Sequence, residues 1–294
     1  MGVRLVVQGL FKNIIKTRKM GLKFKAGATI FFVIMIFGLL SFLTPHYHSY
    51  WYHFPQAHPP SLQSVDFIFG TTSNGRSVFW SLTNAIVNSL IIAVVTSMLA
   101  CHIGLIIGIL SGIKGGVIDK IMMFLTDSFI AIPGLPLTIM LAMILKPIIN
   151  LFLLGVIISI ISWPWSARMI RAITLSLREK DFVIFAKFSG MSTWKIIFSE
   201  IFPHILGFHA TNIINTMLGA IGAEVGLAFL GLSIIEMDTL GTMIYWIQRY
   251  GAILQNMWWW VVPPIATLIL LFLSLYLVST GIQEFLNPRL RRVK

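Results

Sequence analysis

Apolar runs long enough to cross a bilayer alternate along this chain with short polar segments. A spanning helix needs about 20 mainly apolar residues, and the stretches 27–44, 85–111, 121–145, 148–163, 208–232 and 259–280 qualify. The pattern predicts an all-α membrane protein with six transmembrane helices. The fourth run is short and ends at Trp163-Pro164-Trp165. Pro133, Pro136, Pro263 and Pro264 are expected to kink or break their helices locally. The first run follows a long basic stretch and lacks a small-residue cleavage site, so it reads as a retained anchor.

Between the fourth and fifth runs lies a polar, basic segment carrying Arg168, Arg171, Arg178, Lys180, Lys187 and Lys195. Within it Phe182, Phe185, Ala186 and Ser189 follow the spacing of one helical face. Gly190 permits a sharp turn or a close backbone approach. Ser192 is an expected N-cap for a second helix, in which Trp194, Ile197, Phe198 and Ile201 form another stripe. Pro203 suits the first turn of whatever follows. The pattern therefore predicts two short helices around a glycine turn. By itself it fits an amphipathic surface segment resting on anionic lipid equally well.

Composition agrees with a membrane chain: 57% of residues are hydrophobic and 11% charged, where soluble domains carry roughly a quarter charged. The net charge of +12 raises the question of nucleic acid, but its distribution answers it. Lysine and arginine collect in the cytoplasmic loops of helix bundles. With a cytoplasmic N-terminus, the basic segment, the turn at Lys114 and Lys120 and both termini share that side. Of the 22 Lys and Arg residues only Arg76, Lys146 and Arg249 fall elsewhere. The basicity is a topology signal, placing both termini and the basic segment in the cytoplasm, and no nucleic-acid partner is expected.

Ionisable residues inside a membrane usually face the bundle interior or a water-filled cavity. Glu224 in the fifth run and Asp127 in the third are therefore candidates for a translocation path, the alternative for Glu224 being a hydrogen-bonded carboxyl bridging helices. Gly104, Gly108 and Gly112 form a small-residue ridge that lets helices approach closely, read first as packing within one subunit. Gly222 and Gly226 repeat that spacing beside Glu224. Trp258, Trp259 and Trp260 read as an interfacial belt, and the single cysteine, Cys101, as a small packing residue. His46, His48, His53 and His58 lie among aromatic residues, but their spacing matches no helix-based or zinc-finger ligand set, so no metal site is expected.

The wording of the basic segment goes further than its pattern. Ala186-Lys187-Phe188-Ser189-Gly190, Met191 to Phe198 and then Pro203 resemble the coupling loop of ABC importer permeases, with Ile184 where that family usually has an acidic residue and Phe185 in place of its first alanine. The stretch 69–79, with Gly70, Thr71, Gly75 and Arg76, looks like the extracellular signature of the dipeptide/oligopeptide/nickel class. Gly115 to Asp119, then Met123, Asp127, Ala131 and Pro133, are similar to its second cytoplasmic turn and third span; Phe124 stands where an arginine is common. Glu224, Phe229-Leu230-Gly231-Leu232 and Asn287-Pro288-Arg289-Leu290 fit as well. The chain thus resembles the C-type permease of that class along nearly its whole length.

That resemblance implies a type I importer fold: a cytoplasmic segment 1–26, a first helix 27–45, an extracellular loop 46–84, a five-helix permease core 85–281 with its coupling loop at 166–206, and a cytoplasmic tail 282–294. It implies a heterodimer with a second, B-type permease in the cell membrane, two cytoplasmic ATPases that bind ATP and magnesium, and an external substrate-binding protein, which the histidine-bearing loop would touch. Phe185, Ala186, Lys187, Gly190, Trp194, Ile197, Phe198 and Pro203 would then form the coupling element. Peptides are the default cargo, with nickel or small oligosaccharides as alternatives. No His-Glu-x-x-His, Gly-x-Ser-x-Gly or Gly-x-x-x-x-Gly-Lys-Ser/Thr motif occurs, so neither catalysis nor ATP hydrolysis is expected of this chain. A channel or a proton-driven carrier remains the competing class.

Overall fold

The computed structural model describes residues 21–286. The closing Asn287-Pro288-Arg289-Leu290 motif and most cations of the two termini lie outside that range. Ten helices follow one another among the described residues: α1 (Leu22–Leu39), α2 (Val78–Lys114), α3 (Gly116–Ala131), α4 (Gly134–Leu145), α5 (Leu151–Arg178), α6 (Asp181–Phe188), α7 (Thr193–Ile196), α8 (Phe202–Phe229), α9 (Leu240–Arg249) and α10 (Trp258–Leu286). Five continuous helical stretches are long and apolar enough to span a membrane, or six if α3 and α4, which meet at 83°, make one broken span. The break falls at Pro133, which caps α4 and whose ring disfavours helix in the residue before it. The protein is a multi-pass, all-α membrane protein.

The helices run longer than the apolar runs predict: α2 begins at Val78, inside the expected loop 46–84, α8 begins at Phe202 and α10 ends at Leu286, and two further boundaries bear on the site. The first span begins at Leu22, so Lys23 and Lys25 lie on the helix, and Lys23 pairs with Glu284 of α10. More consequentially, α5 does not end at Pro164 but runs through it to Arg178. A proline inside a helix costs about 3 kcal/mol. Packing beyond the proline outweighs that cost, because Ser166, Ala167, Ile170 and Thr174 are all buried. They lie against the ridge of α2: a Cβ added to Gly104 would come within 2.5 Å of Ser166, one on Gly108 within 2.7 Å of the Ala167 carbonyl, and one on Gly112 within 2.7 Å of Thr174. The ridge is therefore internal packing, as read first. In lipid such contact, rather than the hydrophobic effect, holds helices together.

α5 starts sharply because the Asn150 side chain accepts a hydrogen bond from the Leu153 amide at 2.8 Å, the preferred way to satisfy an orphan helical donor. α5 and α8 each traverse the bundle, so the turn at Lys146–Ile148, the segment 230–257 and the loop 44–77 share one end, and α6 and α7 lie at the other. The two ends have separate cores. One gathers Ile34, Ile86, Leu154, Leu240, Trp260 and Leu271; the other gathers Leu105, Ile109, Ile170, Val183, Ile197 and Ile201 beneath the short helices.

Candidate functional site

The predicted helix–glycine–helix element is present. α6 ends at Phe188 with Ser189 as its C-cap, Gly190 adopts φ +71°, and Met191 N–H donates to the Ala186 carbonyl at 3.1 Å. A left-handed residue closing a helix this way is a common C-terminal cap, and glycine takes it without Cβ strain. A Cβ on Gly190 would meet nothing within 4 Å, so its backbone conformation, not crowding inside this chain, calls for glycine. Ser192 holds the N-cap position of α7 but its side chain makes no capping hydrogen bond. The second helix also does not stop. A π-type turn at Ile197–Ile201 joins α7 to α8, with Pro203 in the first turn of α8, so Thr193–Phe229 is one long span.

Burial sorts the expected coupling residues. Val183, Ala186, Ile196, Ile197 and Ile201 are buried in the core beneath, so Ile197 and Ala186 serve this chain's own packing and are unavailable as anchors for another protein. The other face is exposed and aromatic: Phe185 is 68% accessible, Phe188 85%, Trp194 60% and Phe198 59%. Trp194 and Phe198 stack with ring centroids 6.4 Å apart. Lys187 is exposed beside them. Phe188 was not singled out by periodicity, although it stands three residues beyond Phe185 and so completes the same face.

The basic segment is shorter than the sequence suggested, because Arg168, Arg171 and Arg178 belong to α5. There the first two meet the acids of α3. Arg168 pairs with Asp127. Arg171 grips Asp119 through two hydrogen bonds of 2.6 Å, the bidentate geometry that makes arginine–carboxylate pairs specific. Asp127, expected to face the bundle interior or a water-filled cavity, thus sits on an exposed surface of this chain and takes from α5 the cation that Phe124 does not supply.

Glu224 lies inside this chain. Its side chain is fully buried, with one oxygen accepting from Ser233 at 2.9 Å and from Thr239 at 2.6 Å. A Cβ on Gly241 would lie 2.6 Å from the other oxygen. The carboxyl faces the segment leading into α9 rather than an open path, which matches the bridging alternative. Buried polar groups require such partners, and here they tie α8 to the 230–242 segment.

At the end opposite α6, the signature stretch builds a folded cap. Backbone hydrogen bonds pair Tyr52, Phe54 and Ala57 with Asn74, Gly75 and Thr72. Gly70 and Gly75 both have φ +66° and lie against backbone that a side chain would strike. Thr71 donates to the Pro55 carbonyl at 2.6 Å, and Trp259 donates to the Thr71 carbonyl at 3.2 Å. Arg76 reaches Asp238 at 2.7 Å, and His48 lies 2.9 Å from the same oxygen. Burial raises the Asp238 carboxyl, but Arg76 and His48 together outweigh it and hold the group below the usual carboxylate range. Asp238 escaped the sequence reading, since Asp66 and Glu236 are acids of the same outer segments and no local pattern sets Asp238 apart.

The histidines disperse. His48 joins that buried cluster, His46 contacts Tyr50, His53 stacks on Tyr47, and His58 contacts Phe67. The tryptophan belt also divides: Trp258 is exposed, Trp260 is buried and Trp259 binds the cap, because consecutive helical residues point in different directions.

Comparison with known proteins follows the same lines. Residues 104–292 match the family of binding-protein-dependent transport system inner membrane components. The chain is 29% identical over 178 residues to the oligopeptide transport system permease protein OppC of Mycobacterium tuberculosis, covering 60% of each protein. It is 33% identical over 175 residues to OppC of Lactococcus lactis, covering 59% of each. The dipeptide transport system permease protein DppC of Bacillus subtilis is 29% identical over 269 residues, 91% of this chain and 82% of that one. The matches to the two oligopeptide permeases thus span only about three fifths of those proteins.

Proposed function

The chain belongs to the family of binding-protein-dependent transport system inner membrane components, and from that premise we propose that it is one membrane-spanning subunit of an ABC importer for short peptides. Its partners on this reading are a second, B-type permease, two cytoplasmic ATPases that hold ATP and magnesium, and an external binding protein that delivers cargo. Both termini and the α6–α7 element face the cytoplasm, and the cap of residues 44–77 faces outward. On this reading ATP hydrolysis belongs to the partner ATPases.

One observation carries the reading: four large aromatic side chains, Phe185, Phe188, Trp194 and Phe198, stand exposed on a short helical element that also carries Lys187 and Lys195. Aromatic residues in the centre of a protein interface supply most of its binding energy. Beneath them Val183, Ile197 and Ile201 fasten the element to α2 and α5. Because α7 continues into α8 without a loop, a displacement of α6 and α7 by a closing ATPase pair is transmitted directly to a membrane-spanning helix. A channel or proton-driven carrier has no use for such a linkage.

The test is co-purification and uptake. Wild-type chain expressed with its neighbours should bring down ATPases in detergent, and cells should accumulate labelled di- or tripeptides. The double variant Phe188→Ser/Trp194→Ser should insert normally, lose the ATPases and lose uptake, a loss of about 2 kcal/mol or more for each central aromatic anchor. ATPases retained at full occupancy by that variant would remove the aromatic face from the coupling role. A wild-type chain that purifies without ATPases would overturn the importer assignment itself.

A further inference from the structure

Two cations converge on an open cavity at the outer end of the bundle, and the geometry points to a subsite there for the C-terminal carboxylate of a short peptide. The assignment rests on the peptide-importer reading and its orientation. The cavity has a volume of about 460 Å³ and lies between the Lys146 turn, the Phe229–Gly231 loop and α9. That size is within the range of small-molecule sites, roughly 300–1,000 Å³.

Charge distribution makes the convergence informative. Among the described residues the lysines and arginines of the outer end are Arg76, Lys146 and Arg249. Arg76 is taken up by Asp238. The remaining two come from different elements and both line this cavity, while no carboxylate does. Among the described residues neither Lys146 nor Arg249 forms an ion pair with an acid of this chain. Glu236 is exposed nearby in sequence but is not part of the lining. The cavity is therefore a positively charged recess without a counter-charge from its own walls.

Its donors suit a planar anion. Lys146 spends one N–H on the Gly231 carbonyl at 3.0 Å, which positions the ammonium and leaves two donors. Gly231 adopts φ +73°, the turn that presents its carbonyl to the lysine. Arg249, in the last turn of α9, brings a guanidinium fork matched to a carboxylate. Tyr245 and Gln248 add polar atoms, and Phe229 offers an apolar wall for the side chain next to the peptide's terminus.

The experiment uses the assembled importer in proteoliposomes, with saturating binding protein loaded with trialanine or with its C-terminal amide. Wild type should carry the free acid at least about tenfold faster than the amide, the factor expected for charge-assisted hydrogen bonds to one ionised group. Arg249→Gln alone should lower this ratio, the Lys146→Gln/Arg249→Gln pair should bring it close to one, and Arg249→Lys should retain part of it. An unchanged ratio in the double variant overturns the subsite, and so does a proportional loss of both rates, which marks a structural role. Equal wild-type rates for acid and amide overturn it while leaving the peptide importer standing. Wild-type uptake of neither peptide defeats the importer reading, and the subsite falls with it.

Discussion

A guanidinium, an imidazole and a carboxylate withdrawn together from solvent make Asp238 a sensitive single position in the cap. Removing one partner of a buried ion pair leaves an uncompensated charge and costs about 3–5 kcal/mol. Asp238→Asn should therefore destabilise the chain by that order at neutral pH, because Arg76 would stay buried beside a neutral amide. The sign of the pH dependence follows from the depressed carboxyl. Such a group stabilises the folded chain above its unfolded value, about 3.9, and the contribution is lost as pH falls through the lower folded value. Melting of the wild type in detergent should accordingly show a loss below about pH 4 that Asp238→Asn lacks. A variant melting with the wild type at pH 7 would take the ion pair out of the stability account. Arg76 was legible in the sequence as part of a signature. Its partner was not, because the contact joins residues 162 apart and nothing local marks Asp238.

At the scale of elements, local signals and long-range packing part company in α5. The proline at 164 is a strong stop signal when read alone, and the helix passes it because the glycines of α2 accept its far half. The ridge itself was legible, since spacing by four repeats on one helical face whatever lies opposite. What lay opposite was not, and so Arg168 and Arg171 were read into the basic segment instead of into ion pairs with α3. The same limit applies to α6 and α7: the stripes were visible, but which face turned inward depended on the core contributed by Ile109 and Ile170. Gly108→Val tests the packing account. Its Cβ would fall 2.7–2.9 Å from the Ala167 carbonyl, the Ile170 Cβ and the Arg171 amide, two of them backbone atoms and the third bonded directly to the backbone, so none can swing aside. Overpacking of this kind costs about 1–3 kcal/mol, so the variant should melt earlier and co-insert poorly. An unaltered melting curve would mean that α2 and α5 are not held together by this ridge.

Across the whole molecule, the second glycine series asks for something outside the chain. Gly219, Gly222 and Gly226 share one face of α8, yet a Cβ on Gly219 or Gly226 would meet nothing within 4 Å, and one on Gly222 only the Phe272 ring at 3.7 Å. Spacing alone made this series look like the ridge on α2; only the surroundings separate them. Glycine in a helix is destabilising by about 0.5–1 kcal/mol relative to alanine, so three of them on an open face bring the isolated chain no packing in return. In a bilayer, small residues become favourable where a second helix approaches closely, and on the heterodimer reading that helix belongs to the partner permease. Gly219→Leu/Gly226→Leu should then leave the melting of the lone chain unchanged or slightly raised, while the second permease is lost on co-purification. Gly108→Val should show the reverse order of effects, with the chain itself failing first. If the double leucine variant retains its partner at wild-type levels, the open face of α8 points at lipid, and the contact between permeases has to be sought on α3 and α4.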